Sequence, residues 1–171
     1  MTQTSADAER FGAFVVARSA ALVRSAYLLT GNEATAQDLV QTAIVTTWRR
    51  WERITNKEDP EGYVRRVLIT TFLTSWRRRW WYEIPTADMP DAAVEDGDAD
   101  VRLSVKRALA ALPPRQRAVI VLRYLDDLSE ADAAQALGCS TGTVKSQAAR
   151  ALAKLRNSPE LSNQWDKEAR L

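Results

Sequence analysis

The chain has 171 residues, a length that suits one medium domain or two small ones. Histidine is absent and cysteine occurs once, at Cys139, which excludes Cys/His zinc sites, His-based triads and an internal disulfide framework. The formal net charge of +2 conceals a segregation: residues 1–82 carry 12 basic and 8 acidic side chains, residues 83–100 carry 7 acidic and no basic ones, and residues 101–171 carry 12 basic and 7 acidic ones. Two basic blocks around an acidic bridge suit contact with a polyanion. With those zinc sites and triads excluded, no carboxylate in an obvious pocket motif and no Gly-rich phosphate loop, an enzyme is not expected, and neither is a bound cofactor or metal. No apolar run reaches the roughly 18 residues of a bilayer span, and the N-terminus lacks a basic n-region and an apolar h-region. A cytoplasmic protein without membrane insertion is the expectation, and a single thiol fits that reducing compartment.

Taken in order, the apolar residues fall at helical spacing throughout, and an all-α fold is expected. Phe11, Phe14, Val15, Leu22, Ala26 and Leu29 mark a first amphipathic helix that Gly31 ends. Asn32 can cap a second helix through Ala36, Leu39, Val40, Ala43, Ile44, Thr47, Trp48 and Trp51. Residues 52–59 read as a loop. Asp59-Pro60-Glu61 carries three helix-start signals: an N-cap, a proline in the first turn and an early acid. The third helix runs from Glu61 to about Tyr82, with Val64, Val67, Leu68, Thr71, Phe72 and Ser75 expected inward. Its end holds Trp76, Arg77, Arg78, Arg79, Trp80, Trp81 and Tyr82. Arginine for phosphate with aromatic faces for unstacked bases is a single-strand-binding combination. A domain edge with a solvated arginine run at the negative end of the helix dipole is the alternative.

Residues 83–100 are too acidic and too poor in apolar side chains to fold alone, and read as a flexible linker. Asp98 or Asp100 can start a fourth helix with Val101, Val105, Leu109 and Leu112 inward. Pro113-Pro114 ends it and starts a fifth helix through Val119, Ile120, Leu122, Arg123 and Tyr124. Asp126-Asp127 is a turn. Leu128 to Arg156 then reads as helix, tight turn, helix. Ser129 caps the first, with Asp132 as the acid of a capping box, and Gly138 stops it. Ser140 caps the second, whose inward stripe is Val144, Ala148, Ala151, Leu152 and Leu155. Thr141, Thr143, Lys145, Ser146, Gln147, Arg150 and Lys154 remain outside, cations and hydrogen-bonding groups with no acid among them. That is the chemistry of a recognition helix in a DNA major groove. An ordinary helical hairpin with a basic solvated face is the alternative. The tail after Pro159 is polar.

The constellation of motifs over residues 10–156 resembles the extracytoplasmic-function (group four) sigma factors of the sigma-70 family, and within them the actinobacterial SigE-like branch. The motifs are Asp38-Leu39-Val40-Gln41 followed by Trp48; Tyr63-Val64-Arg65-Arg66-Val67 and Trp76-Arg77-Arg78-Arg79; Ala111-Leu112-Pro113-Pro114-Arg115-Gln116-Arg117; and Gly138-Cys139-Ser140-Thr141-Gly142-Thr143-Val144-Lys145-Ser146. The resemblance implies two helical domains. Residues 1–82 would be sigma domain two, a three- or four-helix bundle, and 83–100 an acidic linker threading the polymerase channels. Residues 101–171 would be sigma domain four with its helix-turn-helix and a polar tail.

The implied function is promoter-specific initiation: binding core RNA polymerase at its clamp and flap, reading the −35 and −10 elements, and melting the promoter. Asp38, Leu39, Gln41 and Trp48 would face the polymerase core. Asn56, Lys57, Arg65, Arg66, Thr70, Trp76, Arg77, Arg78, Arg79 and Trp80 would bind and open the −10 element, where extruding a base costs about a few kcal/mol. Arg115, Arg123, Ser140, Thr141, Thr143, Lys145, Ser146 and Arg150 would bind the −35 element. An anti-sigma factor is a further implied partner. Departures from many relatives fall at Thr70 and Thr74, where Asn and Asp are common, and at Gln147-Ala148-Ala149. A free-standing helix-turn-helix regulator and a helical adaptor that does not touch DNA are the rival readings; Trp76–Trp81 argues against both.

Overall fold

A computed structural model describes residues 5–54, 60–82 and 97–162, with side chains at 79–82 and 97–98 left aside. All regular structure among the described residues is helical. The acidic stretch 83–96 and the loop positions 55–59 lie outside them.

Helix α1 (Ser5–Thr30) ends where expected. Gly31 takes φ +71°, and its N–H bonds the Tyr27 carbonyl at 2.7 Å, a left-handed cap that glycine adopts without strain. Asn32 then opens α2 (Glu33–Arg49), its side chain accepting from the Thr35 N–H. The second helix is shorter than the sequence pattern suggests. It ends at Arg49, and Trp51 lies in a 3-10 turn, Trp51–Arg53. That turn drops the Trp51 ring wholly into a small core with Phe11 and Ile54, where the Phe11 and Trp51 rings meet edge-on at 5.0 Å.

Helix α3 (Glu61–Tyr82) has the predicted span. Its buried face differs in part. Val64, Leu68 and Phe72 are inward as expected, but Ser75 is exposed while Ile69 and Arg65 are buried. The sequence pattern speaks for one domain, and here a second domain covers another side of the helix.

Helix α4 (Gly97–Ala110) begins inside the stretch read as linker, and Val101, expected inward, is exposed. Pro114 occupies the first position of α5 (Pro114–Ile120). The chain continues without a break into a π-helical turn, Val121–Leu125, closed by the Asp126 N–H on the Val121 carbonyl at 2.9 Å. Tyr124, on that turn, faces solvent. Helix α6 (Glu130–Leu137) and helix α7 (Thr141–Arg156) complete the domain, and residues 159–162 add one helical turn.

The two domains are packed together. One apolar cluster runs from Leu22, Leu29, Leu39 and Leu68 through Phe72 to Val119, Leu122, Leu137 and Val144. Helix α3 lies against α6, and α1 against α4 and the π-helical turn. Helix α1 is also long and apolar enough to cross a membrane by length and composition alone. Its apolar side chains Phe11, Leu22, Ala26 and Leu29 are spent inside this fold.

Candidate nucleic-acid and polymerase interface

The helix-turn-helix is built as the sequence specifies. Ser129 Oγ accepts the Asp132 N–H at 3.0 Å and donates to the Asp132 carboxylate at 2.6 Å. Gly138 takes φ +64°, the Cys139 N–H reaches the Ala134 carbonyl at 3.0 Å, and the Gly138 N–H reaches Gln135 at 3.3 Å. These two bonds form a Schellman motif, and they give Cys139 its place: it packs half-buried on the main core behind the turn. Ser140 Oγ accepts the Thr143 N–H at 3.1 Å and starts α7.

Val144 and Ala151 anchor α7 from beneath. Ser140, Thr141, Lys145, Ser146 and Arg150 are exposed. Thr143 is half-buried, its hydroxyl 3.0 Å from Ser140 Oγ, so it supports the cap as well as the surface. Lys145 is met by an acid from the neighbouring helix, with Nζ 3.4 Å from Glu130 Oε2. Arg115 is exposed. Arg123 is partly withdrawn: it donates to the Leu128 carbonyl and lies over the Tyr124 ring.

On α3, Gly62, Arg66, Thr70, Thr74, Arg77 and Arg78 are all exposed, at spacings of three, four or eight that place them on one side of the helix. The stripe holds three guanidinium groups and no acid. Arg79 and Trp80 extend the sequence of the same helix, with side chains outside the described residues, as are Asn56 and Lys57. Arg65 and Trp76 point elsewhere, as described below. On α2, Ala34, Gln37, Asp38, Gln41, Thr42, Val45 and Arg49 form a continuous exposed stripe. Leu39 is buried in the core, and Trp48 is half-buried and stacked on Phe11 with ring centroids 5.2 Å apart. The exposed part of this motif is therefore polar, with Val45 as its apolar member.

Residues 14–82 match the family model Sigma-70 region 2, and residues 102–155 match Sigma-70, region 4. The RNA polymerase sigma-E factor of Streptomyces avermitilis is 45% identical over 153 residues, covering 88% of this chain and 85% of that protein. The chain is an extracytoplasmic-function sigma factor of the sigma-70 family, SigE-like branch. The Streptomyces coelicolor RNA polymerase sigma-E factor is 44% identical over 149 residues, covering 85% of this chain and 84% of that protein. Among solved structures, the sigma factor RpoE of Bartonella quintana, recorded in complex with the anti-sigma factor NepR, superposes with a TM-score of 0.74 at 25% identity. That match spans 86% of this chain and 94% of the other. As a sigma factor, the protein binds core RNA polymerase and directs it to promoters.

The sigma factor also carries a buried polar seam between its domains that sequence reasoning missed. Asp126, aimed inward at the end of the π-helical turn, accepts from Ser25 Oγ of α1 at 2.5 Å and from the Arg65 guanidinium of α3. Arg65 is 8% exposed and pairs on its other side with Glu61, which Arg18 also meets at 2.5 Å. Burial pushes the Asp126 carboxyl up; the Ser25 hydroxyl and Arg65 restrain the rise, and the Glu61 charge adds to it. Burial would raise Glu61 too, but the hydrogen bonds and charges of Arg18 and Arg65 together hold it below its ordinary value.

Nearby, Arg117 is 3% exposed. Its Nη1 donates to the Leu29 carbonyl of α1 at 2.7 Å, and its Nη2 to the carbonyls of Ala110 at 2.8 Å and Leu112 at 3.1 Å. The guanidinium thus sits at the negative ends of α1 and α4. Its carbon lies 5.0 Å from the centre of the Trp76 ring. Burial draws its affinity for the proton down, and a guanidinium stays charged regardless. Pro113-Pro114 with Arg115 and Arg117 was legible as a motif, but i,i+2 spacing on a short helix gives no sign of which arginine is swallowed.

Proposed function

We propose that residues 1–82 grip the polymerase core and open the −10 element, that residues 101–171 read the −35 element, and that the acidic residues 83–100 connect them inside the polymerase. The observation that carries this reading is a pair of acid-free exposed faces, one per domain: Arg66, Thr70, Thr74, Arg77 and Arg78 on α3, and Thr141, Lys145, Ser146 and Arg150 on α7. Arginines on α3 hold phosphates beside unstacked bases, with Arg79 and Trp80 continuing the helix. On α7, Lys145 and Arg150 contact phosphate or guanine, and Ser140, Thr143 and Ser146 contact phosphates or base edges, with Arg115 and Arg123 flanking them. Asn56 and Lys57 belong to the loop that captures the extruded base.

Asp38 and Gln41, exposed on α2 with Val45 beside them, meet the polymerase clamp, and buried Leu39 and Trp48 hold that surface in shape. The protein acts in the cytoplasm and performs no chemistry of its own. The likeness of the whole two-domain chain to a sigma factor bound by NepR supports an anti-sigma factor as the controlling partner. Run-off transcription with core polymerase on a promoter library tests the reading. The chain is expected to confer transcription from a subset sharing −35 and −10 sequences. Asp38→Ala with Gln41→Ala is expected to lower co-purification with core polymerase several-fold, and unchanged retention removes that assignment.

A further inference from the structure

We propose that the outer face of α1 is a self-association surface, on which a second copy of the chain packs its own α1 antiparallel to the first. Phe11, Leu22, Ala26 and Leu29 turn inward, and the face about half a turn round the helix from them is apolar as well. Gly12, Ala13, Val16, Ala17 and Ala20 fall on it and are all exposed, Val16 at 86%. Only 22% of the most apolar stretch of α1 is buried inside the fold. Gly12 has no role within the chain that explains it. Glycine weakens a helix interior, its φ here is not positive, and a Cβ at this position would meet nothing within 4 Å. A glycine suits this place where a second backbone approaches closely from outside.

The charges at the two ends of this face identify the partner. Glu9 lies at one end and Arg24 at the other, both exposed, and neither enters an ion pair among the described residues. Their midpoint falls between Val16 and Ala17. An antiparallel copy centred there sets Glu9 of each chain against Arg24 of the other and faces Ala13 with Ala20. A parallel copy would set like charges together. The surface is therefore complementary to itself under a twofold axis, the commonest symmetry of dimers. Small side chains let the two helix axes approach to about 8 Å, the close end of helix packing. Glu9 at the rim works against an anionic lipid surface as the occupant. One helix pair lies at or below the low end of specific interfaces, about 1,200 Å² in total, so a weak dimer with Kd on the order of tens of micromolar is expected.

Sedimentation equilibrium of the full chain in dithiothreitol, from about 1 to 300 µM, tests this. The wild-type chain is expected to pass from monomer to dimer across that range. Glu9→Arg and Arg24→Glu are each expected to weaken the dimer at least threefold, because each sets like charges together at both ends. Mixed in equal amounts, the two variants are expected to form a heterodimer at least tenfold tighter than either forms with itself. Gly12→Leu is expected to raise the Tm of the chain and yet weaken its dimer at least tenfold, a split that a purely intrachain role for this glycine would not produce. A wild-type chain that stays monomeric throughout overturns the proposal, whether or not it binds phosphatidylglycerol vesicles. So does a dimer that Gly12→Leu leaves unchanged, since it forms through another face. A mixture no tighter than its separate components overturns the charge pairing that identifies the partner.

Discussion

Arg117→Met puts the largest single demand on the seam. The substitution keeps most of the volume and removes the charge, three hydrogen bonds and the contact with Trp76. The Leu29 and Leu112 carbonyls lie in buried surroundings, and both are at helix ends without a further intrahelical donor. Stranding them costs about 1–3 kcal/mol each, and losing the ring contact costs about 0.5–2 kcal/mol more. Against that, the wild-type protein bears the desolvation of a buried cation that has no carboxylate beside it among the described residues, and the variant does not. The balance is a loss of about 3 kcal/mol, or about 6–12 °C in Tm for a chain of this size. Urea denaturation followed by tryptophan fluorescence measures it. Arg117→Lys should fall between, since one ammonium cannot reproduce the planar fork. Because Leu29 belongs to one domain and Ala110 and Leu112 to the other, the variant transition should also broaden or split. A loss below about 1 kcal/mol with an unchanged, single transition would refute the reasoning.

Two glycines of the helix-turn-helix should respond in opposite directions to alanine. At Gly138 a Cβ meets nothing within 4 Å, yet φ is +64°, so Gly138→Ala should cost about 1 kcal/mol by left-handed strain alone. At Gly142, inside α7, a Cβ would sit 3.8 Å from Ser140 Oγ, an ordinary contact, and Gly142→Ala should stabilise by about 0.5–1 kcal/mol in thermal unfolding. The two seam carboxylates have opposite pH signatures. Asp126, raised by burial, binds its proton more tightly folded than unfolded, so its contribution falls as pH rises through the carboxylate range. Glu61, lowered by its arginines despite burial, contributes stability above that range and loses it on acidification. Asp126→Asn removes the first and should make stability climb more steeply with pH between about 3.5 and 6, read by urea titrations across that span. Lys145→Ala should leave Tm nearly unchanged, because its pair with Glu130 is 65% and 39% exposed and worth under about 1 kcal/mol. It should weaken −35 binding by holoenzyme in a gel-shift salt series and reduce the salt slope by about one ion.

Local signals were legible wherever a single residue type decides the geometry. Gly31, Asn32, Ser129, Gly138 and Ser140 each sit at the helix terminus that their chemistry favours, and every one was readable in isolation. Trp51 misled because its spacing continues the stripe of α2. Burial of one large ring outweighs another residue of helix, and a 3-10 turn carries the ring inward. Trp76 is expected at a DNA surface from its place beside arginines and other aromatics, and Arg65 only from the family resemblance. What turns them inward is the second domain, and nothing within the span of α3 announces Asp126, 61 residues further on. Nor does the sequence of Val121–Leu125 mark the π-helical turn that aims it.

Helix α3 divides its arginines between two environments. Arg66, Arg77 and Arg78 are exposed on one side of the helix. Arg65, one residue from Arg66 and therefore about 100° round the helix, is turned into the seam and held by Asp126 and Glu61. A guanidinium shared by two carboxylates gives up a charge-assisted bond to take any other anion. An anion that approaches α3 therefore meets the three exposed arginines first, at no such cost.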